Sequence, residues 1–190
     1  MSEELFYAER REDKWIAENI PLPEKGFYVD VGCGHPFTTS QTAFLRDRKW
    51  EGLAIDASHV WKLFWVGIPA FDQVLISSSP EVMFFQDYEV PYRSRIGEGL
   101  SGARKCRTET IEHCLSRHEI GKIDFMSVDI EGQEYDLLTH LDFQLHKPSI
   151  MVIEYDTADI GQDLRIEPYM TDVKGYRVRY KTAMNIVFTP

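Results

Sequence analysis

Acidic residues and glycines recur directly after apolar runs in this chain, and their types and spacing suit the binding of a sugar-bearing, nucleotide-like ligand. The first such place is Gly26 to Pro36, GFYVDVGCGHP. Phe27, Tyr28, Val29 and Val31 have the aromatic or β-branched character of a strand covered on both faces. Asp30 breaks that pattern, and a carboxylate there is costly to bury without hydrogen-bond partners. Gly32 and Gly34 follow, residues that let a backbone turn sharply and approach a ligand. Asp56 closes the next apolar run, where an acid can accept both vicinal hydroxyls of a ribose laid over the glycine loop. A plainer role for Asp56 is to cap a helix starting near Ser58.

A third group lies in IDFMSVDIEGQEYDLL, residues 123–138, where Asp129 and Glu131 follow another buried run. Glu154 and Asp156 end a further one. Acids at the carboxyl ends of several sheet strands converge on the crevice where α/β proteins bind ligands, which favours a site role for Asp129, Glu131 and Glu154. Glu134 is read instead as an acid favoured by the positive end of the next helix.

The elements that must hold these residues alternate between strand and helix, the pattern of a doubly wound α/β sheet. An opening helix over about 8–20 turns Trp15 and Ile16 inward and stops at the Pro21 to Pro23 segment. Strands are expected at 27–31, 53–55, 71–76, 123–128 and 150–155, with a short extended piece at 82–85. Helices are expected at 38–49, with Thr42, Ala43 and Leu45 toward the sheet, and at 60–66, 110–117 and 133–140. Strands at 176–180 and 184–188 close the chain as a hairpin. Residues 87–105 carry Pro91, Gly97, Gly99 and Gly102 with little periodicity, and read as a long loop with the makings of a lid. The 157–173 stretch reads as a second loop. The Trp61, Phe64 and Trp65 cluster reads as core before it reads as a substrate wall. Arg93, Arg95 and Arg104 could clamp an anionic acceptor, or simply be solvated.

Composition sets limits on partners. At 190 residues the chain suits one domain, able to bury roughly 70% of its unfolded surface without staples. A net charge of −10 disfavours a partner bound through phosphate neutralisation, so nucleic acid is not expected. No apolar run reaches the ~18 residues of a membrane span, and the charged N-terminus lacks a secretory core. Cys33, Cys106 and Cys114 show no CxxC spacing, which points to a reducing, cytoplasmic setting without a disulfide framework.

Taken in order, GFYVDVGCG, AIDAS, KIDFMSVDIEGQEYDLL and PSIMVIEYD resemble the FkbM-type methyltransferases, which use S-adenosylmethionine. The resemblance runs from about Asp13 to Phe188, and its most specific part is SVDIEGQEYDLL. It implies the Rossmann-like class I methyltransferase fold: a seven-stranded, mostly parallel sheet with an antiparallel C-terminal hairpin, filling residues 1–190 as one domain with 1–25 as a helical extension. It further implies that Asp30, Gly32, Cys33 and Gly34 form the loop against the cofactor's methionine portion, that Asp56 and Ala57 meet the ribose, and that Ser77 lies near the adenine. Asp129 and Glu131 then stand beside the cofactor's methionine end and the acceptor's entrance, with Asp129 also placed to bind the cofactor's ammonium group. His35 and Pro36 depart from the usual loop, since proline lacks an N–H and fixes φ near −65°.

The implied chemistry is methyl transfer to an acceptor, preferably the hydroxyl of a small molecule or carbohydrate. Catalysis then needs near-attack positioning and a base worth about 10² to 10⁴-fold, with His35, Asp129 and Glu131 as candidates. No metal is assigned, although Asp129, Glu154 and Asp156 offer oxygen ligands of the kind Mg²⁺ takes. Two other functions fit the glycine loop: a nicotinamide-dependent oxidoreductase, weakened by Phe37 at the third glycine position, and a non-catalytic cofactor-binding module.

Overall fold

The computed structural model describes residues 5–68, 70–78, 82–86, 95–96, 103–157 and 161–190. In chain order the elements are α1 (Glu12–Asn19), β1 (Phe27–Val31), α2 (Ala43–Asp47), β2 (Glu51–Asp56), α3 (His59–Phe64), β3 (Phe71–Gln73) and β4 (Leu75–Ile76). There follow β5 (Val82–Gln86), β6 (Arg95–Ile96), β7 (Arg104–Glu109), α4 (Ile111–Arg117), β8 (Phe125–Val128), α5 (Glu134–His140) and β9 (Ile150–Glu154). The chain ends with β10 (Asp156–Thr157), β11 (Gly161–Gln162), α6 (Ile166–Pro168), a π-helical turn at Tyr169–Val173, β12 (Arg177–Lys181) and β13 (Asn185–Thr189).

The main sheet has seven strands in the order β12-β13-β9-β8-β1-β2-β3. Pairings from β9 through β8, β1 and β2 to β3 are parallel, while β13 runs antiparallel to both β9 and β12. This is the mostly parallel sheet with a terminal hairpin expected from the sequence. Its central strands are buried on both faces: β8 and β9 are buried at every position, and β1 at all but Phe27. One face packs Val29, Val31 and Met126 with Ile111, Leu115 and Leu138 of α4 and α5. The other packs Tyr28, Phe125 and Val152 with Ile16 of α1, Phe44 and Leu45 of α2, and Trp50. Among the described residues, no helix is long and apolar enough to cross a membrane.

The N-terminal segment is fastened across this second face. Glu12 is fully buried, and its Oε1 accepts from Asn185 Nδ2 at 2.9 Å and Thr182 Oγ1 at 3.0 Å. Trp15 stacks on Tyr180 with ring centroids 4.7 Å apart. The opening helix is therefore tied to the C-terminal hairpin.

Several boundaries differ from the sequence reading, each for a local reason. The helix expected over 38–49 forms only over Ala43–Asp47. Upstream of it, side chains capture the amides that a helix would use: His35 Nδ1 accepts from Phe37 and Thr38, and Ser40 Oγ accepts from Thr42 and Ala43. Thr39 also sits at φ 63°, outside the helical range. The single strand expected over 71–76 is split. β3 pairs with β2, whereas β4 pairs with β7 in a separate sheet ordered β4-β7-β5-β6. Arg104 and Lys105, read as loop, begin β7, and Arg95–Ile96 forms β6. The remainder of the expected lid, 87–94 and 97–102, lies outside the described residues. The loop expected over 157–173 contains α6 and the π-helical turn.

Candidate active site

Sheet order reverses beside β1: the chain passes from β1 outward to β2 and β3, then returns on the other side through β8 and β9. A crevice opens at the carboxyl ends of strands flanking such a reversal. Here it is a cavity of about 580 Å³, lined by Asp30 to His35 after β1, Ile55 to Ala57 after β2, Val74 to Ile76, Asp129 to Gln133 after β8, and Glu154 at the end of β9. That volume is within the roughly 300–1,000 Å³ of small-molecule sites. Thr39 and Gln41 just past the loop also line the cavity, as do Phe85 and Ser127, and Glu9 and Met184 join from distant segments that the sequence did not connect with the site.

The glycine loop is stitched down on both sides. Gly32 N and Cys33 N donate to the Ile55 carbonyl at 2.8 and 3.2 Å, and Asp129 N donates to the Val31 carbonyl at 2.9 Å. Gly32 has φ 76°, and a Cβ there would meet the Asp129 carbonyl oxygen at 1.6 Å. The glycine is required by that close approach of two backbones. Asp56 bonds the loop as well, accepting from Gly34 N at 2.9 Å and Ser58 N at 2.7 Å. Ser58, not Asp56, caps α3, accepting from Val60 N and Trp61 N.

Behind the loop, Trp65 Nε1 donates to the Gly34 carbonyl at 2.8 Å, and Arg46 donates to the Pro36 carbonyl. Trp61 and Trp65 are buried against Cys33 and Ala54, so the core reading holds for them, while Phe64 is half exposed. Trp61 also reaches the cavity. The unusual His35–Pro36 pair is thus held by tryptophans and an arginine whose roles only the folded chain reveals.

Asp30 is buried and accepts from Thr42 Oγ1 at 2.6 Å. Burial pushes its carboxyl up to about 6, against the Thr42 bond and the Arg46 charge, which pull it down. Because its folded-state value is raised, Asp30 lowers the stability of the fold by an amount that is complete above pH 6 and is relieved as the pH falls toward the unfolded value near 3.8. Asp30→Asn, which can keep the Thr42 bond, should therefore raise stability at pH 7.5 by about 1–3 kcal/mol. The gain should shrink toward zero by about pH 4 in urea denaturation, and a gain independent of pH would count against this account.

Cys33 is buried, and burial followed by the Asp56 and Asp30 charges pushes its thiol well up. It is a neutral wall residue, not a nucleophile. His35 is shifted down by burial, and its Nδ1 accepts both the Phe37 and Thr38 amides, which sets the Nε2–H tautomer. Ala57 lines the cavity. Ser77 is buried one residue beyond Ile76, outside the lining, with its N–H on the Glu109 carbonyl at 3.0 Å.

At the opposite wall, Asp129 is exposed to the cavity but enclosed by protein on its other sides. Its carboxylate gathers with those of Glu134 and Glu154, ligand oxygens within 4.8 Å of one another. Burial first pushes both Asp129 and Glu154 upward; the hydrogen bond between them lowers Asp129 and raises Glu154, and the surrounding carboxylate charges raise both, so this close pair favours holding a proton. Glu134 Oε1 accepts from Ile130 N at 2.7 Å and Gly132 N at 3.1 Å, turning back on its own loop as an N-terminal acid would. Between them Glu131 takes φ 56°, a left-handed conformation uncommon for a residue with a side chain. Asp156 does not join the group, and its Oδ2 accepts from Gln162 Nε2 across β10 and β11. Arg104 is also elsewhere, bonded to the Ala57 carbonyl and lying over the Phe85 ring at 5.3 Å. Arg93 lies outside the described residues, as does the side chain of Arg95.

Residues 73–178, more than half of the chain, match the profile of the methyltransferase FkbM domain. The chain belongs to the FkbM methyltransferase family. Its cofactor is S-adenosylmethionine. Among solved structures, that of M. capricolum TrmK in complex with the natural cofactor product S-adenosyl-homocysteine aligns with a TM-score of 0.48 and 13% identity, over 98% of this chain and 68% of that one. No curated protein sequence matches the chain. For an FkbM methyltransferase, the donor set of the cavity fits the cofactor. S-adenosylmethionine carries a sulfonium and an ammonium cation, and the lining holds Glu9, Asp30, Asp56, Asp129, Glu131 and Glu154 but no lysine or arginine among the described residues. The Gly32 cradle, where a Cβ would collide with backbone, lets the loop run close beside a ligand in this cavity.

Proposed function

We propose that this FkbM methyltransferase methylates a hydroxyl oxygen of a small molecule or sugar, within one cytoplasmic domain over residues 1–190 whose first 25 residues are a helical extension. The observation that carries this reading is the carboxylate-lined cleft beside the glycine loop. When bound, S-adenosylmethionine supplies a methyl group already activated on a positive sulfur. The acid wall favours that cationic donor over its uncharged-sulfur product and disfavours an anionic acceptor. The same wall, with the net charge of −10, speaks against nucleic acid as acceptor.

In this reading the backbone of Asp30, Gly32, Cys33 and Gly34 packs against the methionine portion, and Asp129 faces its ammonium group. Asp56 and Ala57 meet the ribose. Asp56 holds the Gly34 and Ser58 amides, and an ionised carboxylate is the acceptor that paired ribose hydroxyls bond. Ser77 acts near the adenine through its place behind Ile76 rather than as a lining side chain.

Of the three candidate bases, Glu131 is supported best. It lines the cavity on a backbone in the left-handed region, and strain of this kind is found where a side chain must be presented to a ligand. His35 has its Nδ1 lone pair engaged by two amides, which suits a role in shaping the loop. Asp129 stands in a close pair with Glu154, and the proton that this pair favours holding leaves it unsuited to take another from the acceptor.

The cofactor is tested by thermal shift: S-adenosylhomocysteine should stabilise the protein and NAD⁺ should not, and stabilisation by NAD⁺ alone would sink the assignment. With radiolabelled S-adenosylmethionine and a panel of hydroxyl acceptors, Glu131→Gln should lower kcat by about 10² to 10⁴-fold while leaving S-adenosylhomocysteine affinity nearly unchanged. Glu131→Gly should be equally inactive, although glycine takes this φ without the strain of a side chain. If His35→Ala or Asp129→Asn carries the loss instead, the base is misassigned.

A further inference from the structure

The cluster of Asp129, Glu134 and Glu154 has features that cofactor binding does not explain. Its members come from three elements, following β8, opening α5 and ending β9. Glu134 is 1% exposed and Glu154 5%, while Asp129 opens on the cavity; the Glu154 carboxyl stands against that of Asp129, and its fully buried Oε2 meets no N–H or O–H donor among the described residues. The charges that bear most on the three from neighbouring elements are the carboxylates Asp30 of β1, Glu131 and Asp163 beyond β11, the last of them paired with Arg165. Burying carboxylates side by side is unfavourable unless a proton or a cation compensates them. A proton between Asp129 and Glu154 neutralises one charge only. The ligand oxygens lie within 4.8 Å of one another, about twice the ~2.0–2.6 Å that separates a hard divalent cation from an oxygen ligand.

We propose that Asp129, Glu134 and Glu154 form a site for one hard divalent cation of the Mg²⁺ and Mn²⁺ class on the wall of the cleft. An all-oxygen, all-anionic donor set selects such ions over zinc or copper, which favour nitrogen and sulfur. Glu134 is held for this role by its bonds to the Ile130 and Gly132 amides, which orient a ligand as outer-shell bonds do at metal sites. The third ligand differs from the one the sequence suggested, because Asp156 turns away to Gln162. The proposal concerns the three carboxylates and stands apart from the assignment of the acceptor.

The test is a titration of EDTA-treated full-length protein with MnCl₂, followed by the electron paramagnetic resonance signal of free Mn²⁺. One saturable site per chain, displaced by Mg²⁺ and weakened at least tenfold in Glu154→Gln, is expected. S-adenosylhomocysteine binding, measured by calorimetry in EDTA, separates the two assignments: protein that binds this ligand but no Mn²⁺, Mg²⁺ or Ca²⁺ overturns the cation site alone. Unchanged Mn²⁺ affinity in Glu154→Gln overturns it too. Should that variant not fold, Asp129→Asn carries the same comparison, and a rise in the thermal midpoint of the parent protein with MnCl₂ over EDTA is the independent readout.

Discussion

Gly32→Ala is expected to destabilise the protein by about 3–5 kcal/mol and to lower S-adenosylhomocysteine affinity by more than a hundredfold. The added methyl group would lie 1.6 Å from the Asp129 carbonyl oxygen and 2.6 Å from its carbon, against a backbone φ of 76°. Neither contact can be relieved by rotating a side chain. The loop is bonded to Ile55 on one side, and Asp129 to Val31 on the other, so relief requires separating the ends of β1 and β8, between which the crevice opens. Gly34→Ala is the internal control. A Cβ at Gly34 meets only Trp61 Nε1, at 3.9 Å, so its cost is that of the φ of 55°, about 1–2 kcal/mol. Urea denaturation and calorimetry on the two variants should rank them in that order. Equal stabilities would show that conformation rather than the backbone contact governs the loop.

Asp56→Ala should raise the S-adenosylhomocysteine Kd by about 10² to 10³-fold, the larger share of which is the loss of bonds to charged oxygen at about 1.5–3 kcal/mol each. The substitution strips the acceptors from Gly34 N and Ser58 N together, releasing the glycine loop from the end of β2 and loosening the start of α3. Asp56→Asn retains one carbonyl acceptor and should fall between the parent and the alanine variant. Calorimetry with adenosine as a second ligand separates the contributions: a ribose acid predicts that adenosine binding is lost in parallel. If adenosine binds the alanine variant as well as the parent, Asp56 serves only to hold the loop.

The extent of agreement between sequence and structure follows the range of the interactions involved. β1 was legible to the residue, because a strand buried on both faces must be apolar or β-branched and Gly32 must end it. β12 and β13 came within one residue for the same kind of reason. The helix before β2 was overestimated because His35 and Ser40 divert backbone amides, a competition invisible to hydrophobic periodicity. The 71–76 strand was undivided in sequence because nothing local says that Leu75 and Ile76 will pair with β7. Among the candidate site residues, Asp30, Gly32, Gly34, Asp56, Asp129 and Glu131 were visible as exceptions to apolar runs, and the fold brings them to one cavity.

By itself, then, the sequence determined the order of strands, the positions of acids and glycines at their ends, and through these the family and its cofactor. These are properties of contiguous residues, written in period and residue type. The tertiary structure alone decided which acids meet. It placed Glu134 rather than Asp156 beside Asp129 and Glu154, and brought Glu9 and Met184 to the cavity from far along the chain. It also set Trp65 and Arg46 behind the His35–Pro36 turn. Each of these meetings depends on sheet order and on the packing of separate elements, and no local pattern of residues encodes the distance between two carboxylates on neighbouring strands.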